Sequence, residues 1–120
     1  MKKTLILGAS TNPGRYAFMA AQRLQSKGFP IELLGKKGGV VAGEKIKTTT
    51  EAISKDIDTV TVYLNEQNQS EYEDFLLKMK PKRVIFNPGA ENLELEMKLE
   101  KQGTEVLEAC TLVMLGTGQY

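Results

Sequence analysis

The residue types that indicate chemistry are concentrated in one short turn near the N-terminus. An apolar run from Thr4 to Leu7 ends at Gly8, and a helix is then predicted with Asn12 as its cap and Pro13 in its first position. A turn of this kind gathers free backbone N–H groups at the positive end of the helix dipole, which suits a phosphate. The sequence therefore predicts an anion site formed by Gly8, Ala9, Ser10, Asn12 and Gly14.

Arg15 follows this turn directly. A cation in the first turn of a helix opposes the helix dipole by about 0.3–1 kcal/mol unless an anion is bound there. The position of Arg15 therefore favours a bound anion. The alternative is a solvated surface arginine beside an ordinary turn between a strand and a helix.

A second basic segment runs from Gly35 to Gly39 and contains Lys36 and Lys37. The chain lacks a dinucleotide fingerprint, because Ser10 and Pro13 stand where the G-x-G-x-x-G pattern has glycines. After the second strand an NAD site has an acidic residue, whereas lysines there suit a phosphorylated ribose. NADP and coenzyme A (CoA) both carry such a phosphate. The alternative is a solvated basic loop.

The residue types that are scarce exclude much ordinary catalysis. The chain has no histidine and a single cysteine, Cys110, which excludes the commonest general base, an intramolecular disulfide and a multi-cysteine metal site. Cys110 follows the last predicted strand, where it is either a small buried apolar residue or a thiol on the ligand side of the sheet. We predict no catalytic residue and no metal site.

Length and charge limit the class of protein further. A chain of 120 residues can bury one core, so a single domain over residues 1–120 is predicted. The formal net charge of +1 does not indicate binding to nucleic acid or to an anionic membrane. No apolar run is long enough for a signal peptide or a membrane span, so a cytoplasmic protein is predicted.

Alternating strands and helices must position these residues. Strands are predicted at residues 4–7, 29–34, 58–64, 83–86 and 104–107, with helices between them capped by Asn12, Asn65 and Asn92. Between the second and third strands, residues 40–47 are predicted to form an excursion with a small edge strand. Thr50 is predicted to cap a short helix after this excursion.

This alternation predicts an α/β fold, a Rossmann-like, doubly wound, parallel five-stranded sheet with strand order 3-2-1-4-5. Ligands bind beyond the carboxyl ends of such strands where the winding reverses, which this order places between the first and fourth strands. The turn at Gly8 to Arg15 and the turn at Asn87 to Asn92 would line the crevice, with the Gly35–Gly39 loop on its flank.

Three patterns together resemble a known family. They are the first turn, GAS-x-NPGRY, an NPGA-type turn after the fourth strand, and a cysteine shortly after the fifth. The chain resembles the small bacterial CoA-binding domain proteins, stand-alone relatives of the CoA-binding domain of the succinyl-CoA synthetase α subunit. The resemblance spans nearly the whole chain and implies a Rossmann-like fold that binds CoA or an acyl-CoA, with no established catalysis of its own.

The resemblance also implies roles for particular residues. Ser10, Asn12 and Arg15 would hold the phosphates, and Lys36 and Lys37 would lie by the adenosine end. The pantetheine path would be bordered by Asn87, Pro88, Gly89 and Ala90. The Gly35–Gly39 loop departs from the Asn-Pro type of turn that is common in relatives.

Two other functions stay open at this stage. An NADP-dependent reductase would use the same phosphorylated-ribose site, although this chain has no evident second domain to hold a substrate against the nicotinamide. A regulatory domain that responds to a nucleotide is hardly separable from a CoA-binding module by sequence. The sequence also leaves open whether the chain forms a homo-oligomer or binds a partner protein.

Overall fold

The strands form one mostly parallel sheet. The computed structural model describes residues 2–120, so that Met1 of the predicted domain lies outside the described residues. The strands lie in the order β3-β4-β2-β1-β5-β6-β7, and β3 alone among these is antiparallel to its neighbour. Their bounds are β1 Thr4–Leu7, β2 Ile31–Leu34, β3 Val40–Val41, β4 Glu44–Lys47, β5 Thr59–Val62, β6 Arg83–Phe86 and β7 Glu105–Glu108.

Helices cover both faces of the sheet. On one face, α1 (Tyr16–Ser26) and α5 (Thr111–Gly116) pack against each other and over Ile6 of β1. On the other face, α3 (Glu73–Met79) and α4 (Leu93–Lys101) bury Leu76 and Leu99 against the apolar strand residues that point to that side of the sheet. The helix α2 (Glu66–Gln69) and two 3-10 turns, Thr50–Ala52 and Ser70–Tyr72, complete the elements. Within residues 2–120, no helix is both long and apolar enough to cross a membrane.

The predicted α/β fold with a doubly wound sheet is confirmed, but the predicted strand number and strand order are wrong. The segment expected to be an excursion forms the hairpin of β3 and β4, which raises the five predicted strands to seven. Because β4 pairs with β2 through Leu33–Ile46 and Leu34–Lys47, it occupies the edge that the third predicted strand was expected to take. That strand, β5, pairs instead with the free edge of β1.

The position of the ligand crevice changes with the strand order. The winding of the sheet reverses between β1 and β5, not between the first and fourth predicted strands. In doubly wound sheets, this switch point is where ligands bind. The turn at Asn87 therefore lies one strand farther from Gly8 than predicted, because β5 stands between β1 and β6.

Two predicted helix starts are also wrong. α1 begins at Tyr16 instead of Pro13, and its cap residue is Arg15, which has an extended backbone. The side chain of Asn12 accepts a hydrogen bond from the Gly14 N–H inside the turn and does not cap the helix. Thr50 lies within its 3-10 turn and provides no side-chain cap. The predicted caps Asn65 and Asn92 are confirmed, since each side chain accepts from a backbone N–H three residues later.

The β7 strand forms one edge of the sheet. It pairs with β6 on one side, and no described strand pairs with its other side. Val106 and Leu107 in the middle of β7 are half-buried, whereas Glu105 and Glu108 at its two ends are exposed. The exposed ends of this edge are therefore both acidic.

A network around Glu32 anchors the long connection that leads from β4 to β5. The Glu32 carboxylate lies 2.8 Å from Lys3 Nζ and 2.9 Å from Lys47 Nζ, and it accepts hydrogen bonds from the Ser54 backbone and hydroxyl. Burial disfavours the ionised carboxylate, but these bonds outweigh burial and lower the pKa of Glu32 to about 2. The network therefore holds residue 54 against β2 at the start of the crossover to β5.

We expect this network to make stability depend on pH in the acid range. The pKa of folded Glu32, about 2, lies below the ordinary value of 4.5, so its contribution is complete above that value and is lost as the pH falls towards 2. Glu32→Gln should lower the free energy of unfolding at pH 7 by roughly 2–3 kcal/mol. It should also flatten the acid dependence that urea unfolding measures. The control is Glu44→Gln, an exposed carboxylate on β4, and equal acid dependence in wild type and Glu32→Gln would contradict the prediction.

Candidate functional site

The turn from Gly8 to Arg15 lies at the carboxyl end of β1. Gly8 has a φ of +95°, and a Cβ there would lie 3.2 Å from the Tyr63 carbonyl carbon, so this position favours glycine. The N–H groups of Gly8 and Ala9 both donate to the Leu34 carbonyl, at 2.9 and 3.0 Å. These two N–H groups tie the turn to the end of β2 and are engaged within the protein.

Other N–H groups of the turn are also engaged, which changes the predicted anion site. The Asn12 N–H donates to Ser10 Oγ at 3.0 Å, and the Gly14 N–H donates to Asn12 Oδ1 at 2.9 Å. At the start of α1, the N–H groups of Tyr16 and Ala17 have no hydrogen-bond partner among the described residues, and no side chain caps the helix. The donors that remain for an anion therefore include the N–H groups of Ser10 and Thr11, which have no partner among the described residues, the helix N–H groups and the exposed Arg15 side chain beside them.

The structure brings the basic loop against this turn. A Cβ at Gly35 would lie 2.6 Å from the Ala9 carbonyl oxygen, and one at Gly39 would overlap the Thr11 side chain. Glycine at both positions therefore permits the close approach of the loop to the turn. The turn and the Gly35–Gly39 loop, predicted to share one edge of the sheet, are direct neighbours.

The lysines of this loop differ in their partners. Lys36 Nζ lies 2.5 Å from Glu71 Oε1, and this hydrogen bond raises the pKa of Lys36. Lys37 is exposed and forms no ion pair within residues 2–120, and the same holds for Arg15. At this edge, Lys37 and Arg15 are therefore cations without an acidic partner among the described residues, whereas Lys36 is paired.

Sequence reasoning missed the residues that follow β5. Because β5 lies beside β1, Tyr63 and Leu64 flank Gly8, whose added Cβ would also lie 3.1 Å from the Leu64 side chain. The Tyr63 hydroxyl is buried without a hydrogen-bond partner among the described residues, and burial raises the pKa of Tyr63 to about 12. In the sequence, these residues were marked only by their place at the end of the third predicted strand. That place indicates the ligand site only once the strand order is known.

Asn87 serves the fold from within the sheet. It is 2% exposed, and its side-chain N–H group donates to Thr61 Oγ1 at 2.7 Å and to the Val62 carbonyl at 3.0 Å. Its side-chain oxygen accepts from the Thr111 N–H at 2.8 Å. These bonds join β5, β6 and the start of α5. Of the other residues in this turn, Pro88 and Gly89 are exposed, whereas Ala90 is buried.

Cys110 lies at the boundary between β7 and α5. It is partly exposed, and it directly precedes the first residue of α5. The structure therefore places the single thiol at the carboxyl edge of the sheet, the same edge as the Gly8–Arg15 turn. Within residues 2–120, no group of three or more side chains is arranged to hold a metal ion.

Together these features define a class of protein, a small Rossmann-like α/β domain whose loops converge at the switch point of its sheet. The model of the CoA binding domain family matches residues 2–116. The chain belongs to this family. Among curated proteins, no relative matches the chain.

Solved structures share the fold of this chain. One, described as an uncharacterized protein, is 50% identical, with coverage of 100% of this chain and 98% of that chain and a TM-score of 0.95. A conserved hypothetical protein from Pyrococcus furiosus is 26% identical over 94% of this chain and 98% of that chain, with a TM-score of 0.81. A Thermus thermophilus protein with a TM-score of 0.87 is 20% identical over 99% of this chain and 90% of that chain, and shows the fold alone.

The bonds of Asn87 lead to a prediction about stability. Asn87→Ala should lower the free energy of unfolding by roughly 2–4 kcal/mol, because it removes three hydrogen bonds and leaves buried partners unsatisfied. Urea unfolding measures this loss. Asn68→Ala is the matched control, since Asn68 is exposed and should change stability by less than about 0.5 kcal/mol. Similar stabilities of the two variants would show that Asn87 does not hold α5 in place.

Proposed function

We propose that this chain binds CoA or an acyl-CoA at the carboxyl edge of β1 and β5 and is a binding module without chemistry of its own. The observation that carries the proposal is the junction of the Gly8–Arg15 turn with the basic Gly35–Gly39 loop, in a chain of the CoA binding domain family. CoA carries a diphosphate and a separate ribose phosphate. The uncompensated cations at this edge suit a ligand with phosphates at two places.

Each part of the ligand has a proposed set of residues. The diphosphate would be held by Arg15, the N–H groups at the start of α1, the Ser10 hydroxyl and the side-chain N–H groups of Asn12. The phosphorylated ribose would lie by Lys36 and Lys37. The pantetheine arm would run past the exposed Pro88 and Gly89 towards Cys110. Asn87 and Ala90 would support this path from inside the fold.

Thermal unfolding in the presence of candidate ligands tests the proposal directly. CoA, acetyl-CoA, NADP, NAD and ATP would each be added to the purified chain. A ligand present at about one hundred times its dissociation constant adds roughly 2.7 kcal/mol of stability, which shifts the melting temperature by several degrees for a domain of this size. We expect the largest shift with CoA or acetyl-CoA. A shift with NADP and none with CoA would contradict the proposal and favour a reductase.

Arg15 should contribute to affinity and not to folding. If its guanidinium forms charge-assisted hydrogen bonds to the diphosphate, Arg15→Ala should weaken CoA binding by roughly 1.5–3 kcal/mol, while stability changes by less than about 0.5 kcal/mol. Calorimetric titration and urea unfolding measure the two quantities. Arg23→Ala, at the other end of α1, is the control and should bind CoA normally. Normal affinity in Arg15→Ala would show that Arg15 is only a surface residue.

The proposed path of the pantetheine arm predicts a reaction of Cys110 with oxidised CoA. The Cys110 thiolate would attack the disulfide of oxidised CoA, forming a protein–CoA mixed disulfide and releasing one CoA thiolate. Intact mass spectrometry should then show one added CoA unit that a reductant removes. Because the chain has one cysteine, Cys110→Ser should not be labelled. Labelling only after unfolding would show that Cys110 is inaccessible to the ligand.

A further inference from the structure

The ion pair between Lys36 and Glu71 connects two segments that lie on opposite sides of β1. Lys36 is the second residue after β2, and Glu71 belongs to the 3-10 turn Ser70–Tyr72, which comes after β5 and α2. Since β1 lies between β2 and β5 in the sheet, the 2.5 Å contact joins the two flanks of the carboxyl end of β1. This is the edge at which the ligand site is proposed.

The fold does not depend on this ion pair. The Lys36 and Glu71 side chains are 61% and 52% exposed, and ion pairs with such exposure contribute little to stability. Both segments have other anchors, because the Gly35 N–H donates to the Lys47 carbonyl and Tyr72 is buried in the core. The pair can therefore separate at little cost to the fold.

The surroundings of Glu71 leave room for its carboxylate to move. Glu71 borders a groove of about 650 Å³ between the segment of residues 50–55 and α3. A carboxylate released from Lys36 can turn towards the solvent in this groove. Lys36 then becomes available to another anion beside Lys37, which has no acidic partner within residues 2–120.

We propose that Glu71 determines ligand specificity by competing with the ligand for Lys36. The inference rests on the proposed CoA site. A ligand with a phosphorylated ribose must replace the Glu71 carboxylate on Lys36, whereas a ligand without that phosphate leaves the ion pair intact. Glu71 therefore reduces the preference of the site for CoA over dephospho-CoA, which lacks the ribose phosphate.

The test compares the affinities of CoA and dephospho-CoA in the wild type and in two variants of the chain. In Glu71→Gln, measured at low ionic strength, the ratio of the two dissociation constants should shift in favour of CoA by roughly two- to ten-fold. The reason is that the substitution removes the negative charge that competes for Lys36. Dephospho-CoA should bind as it does to the wild type. Glu66→Gln, an exposed carboxylate on the neighbouring helix α2, is the matched control and should leave the ratio unchanged.

A second pair of variants tests whether Glu71 acts through Lys36. In the Lys36→Ala background, Glu71→Gln should shift the ratio much less than it does in the wild type, because the shared partner is absent. An unchanged ratio in Glu71→Gln would overturn this inference alone, as would an equal shift with and without Lys36. If neither CoA nor dephospho-CoA bound to the wild type, both the proposed function and this inference would be overturned.

Discussion

The pairing of β4 with β2 determines how the rest of this chain is arranged. It occupies the outer edge of β2, so the next strand to enter the sheet, β5, pairs with the far edge of β1 instead. The crossover to β5 must then run back across the sheet, and the Glu32 network holds it there. The reversal of winding between β1 and β5 follows from this single choice of edge. It decides which loops can meet at the carboxyl end of β1.

Local patterns predicted most elements because each depends on nearby residues. The apolar run of β1, the cap at Asn92 and the β-branched residues of β5 all have their causes within a few positions of the chain. The strand order was wrong because right-handed crossovers allow β5 to join either edge, and alternation of strands and helices does not distinguish them. Two residues of pairing, Ile46 and Lys47, decide the edge, and their pattern indicated no more than a small strand.

The candidate site was predicted in part for the same reason. The turn and the basic loop follow β1 and β2, which are neighbours in the sheet. Their contact could therefore be predicted once the crossover from β1 to β2 was predicted correctly. Tyr63, Leu64 and Glu71 were missed because they follow β5, and the predicted strand order did not place β5 beside β1. The predicted donors of the turn were also revised, since the N–H groups of Gly8 and Ala9 donate to the Leu34 carbonyl. Such a long-range bond leaves no trace in the spacing of glycines.

The acidic ends of β7 have a consequence for association between copies of the chain. An edge strand offers unpaired backbone groups to which another strand can add, and this is a common origin of aggregation. Two β7 strands meeting antiparallel and in register would set Glu105 of each copy against Glu108 of the other. Like charges directly opposite each other destabilise a strand pair. Antiparallel, in-register pairing of two β7 edges is therefore disfavoured, although the half-buried Val106 and Leu107 lie at the rim of the sheet.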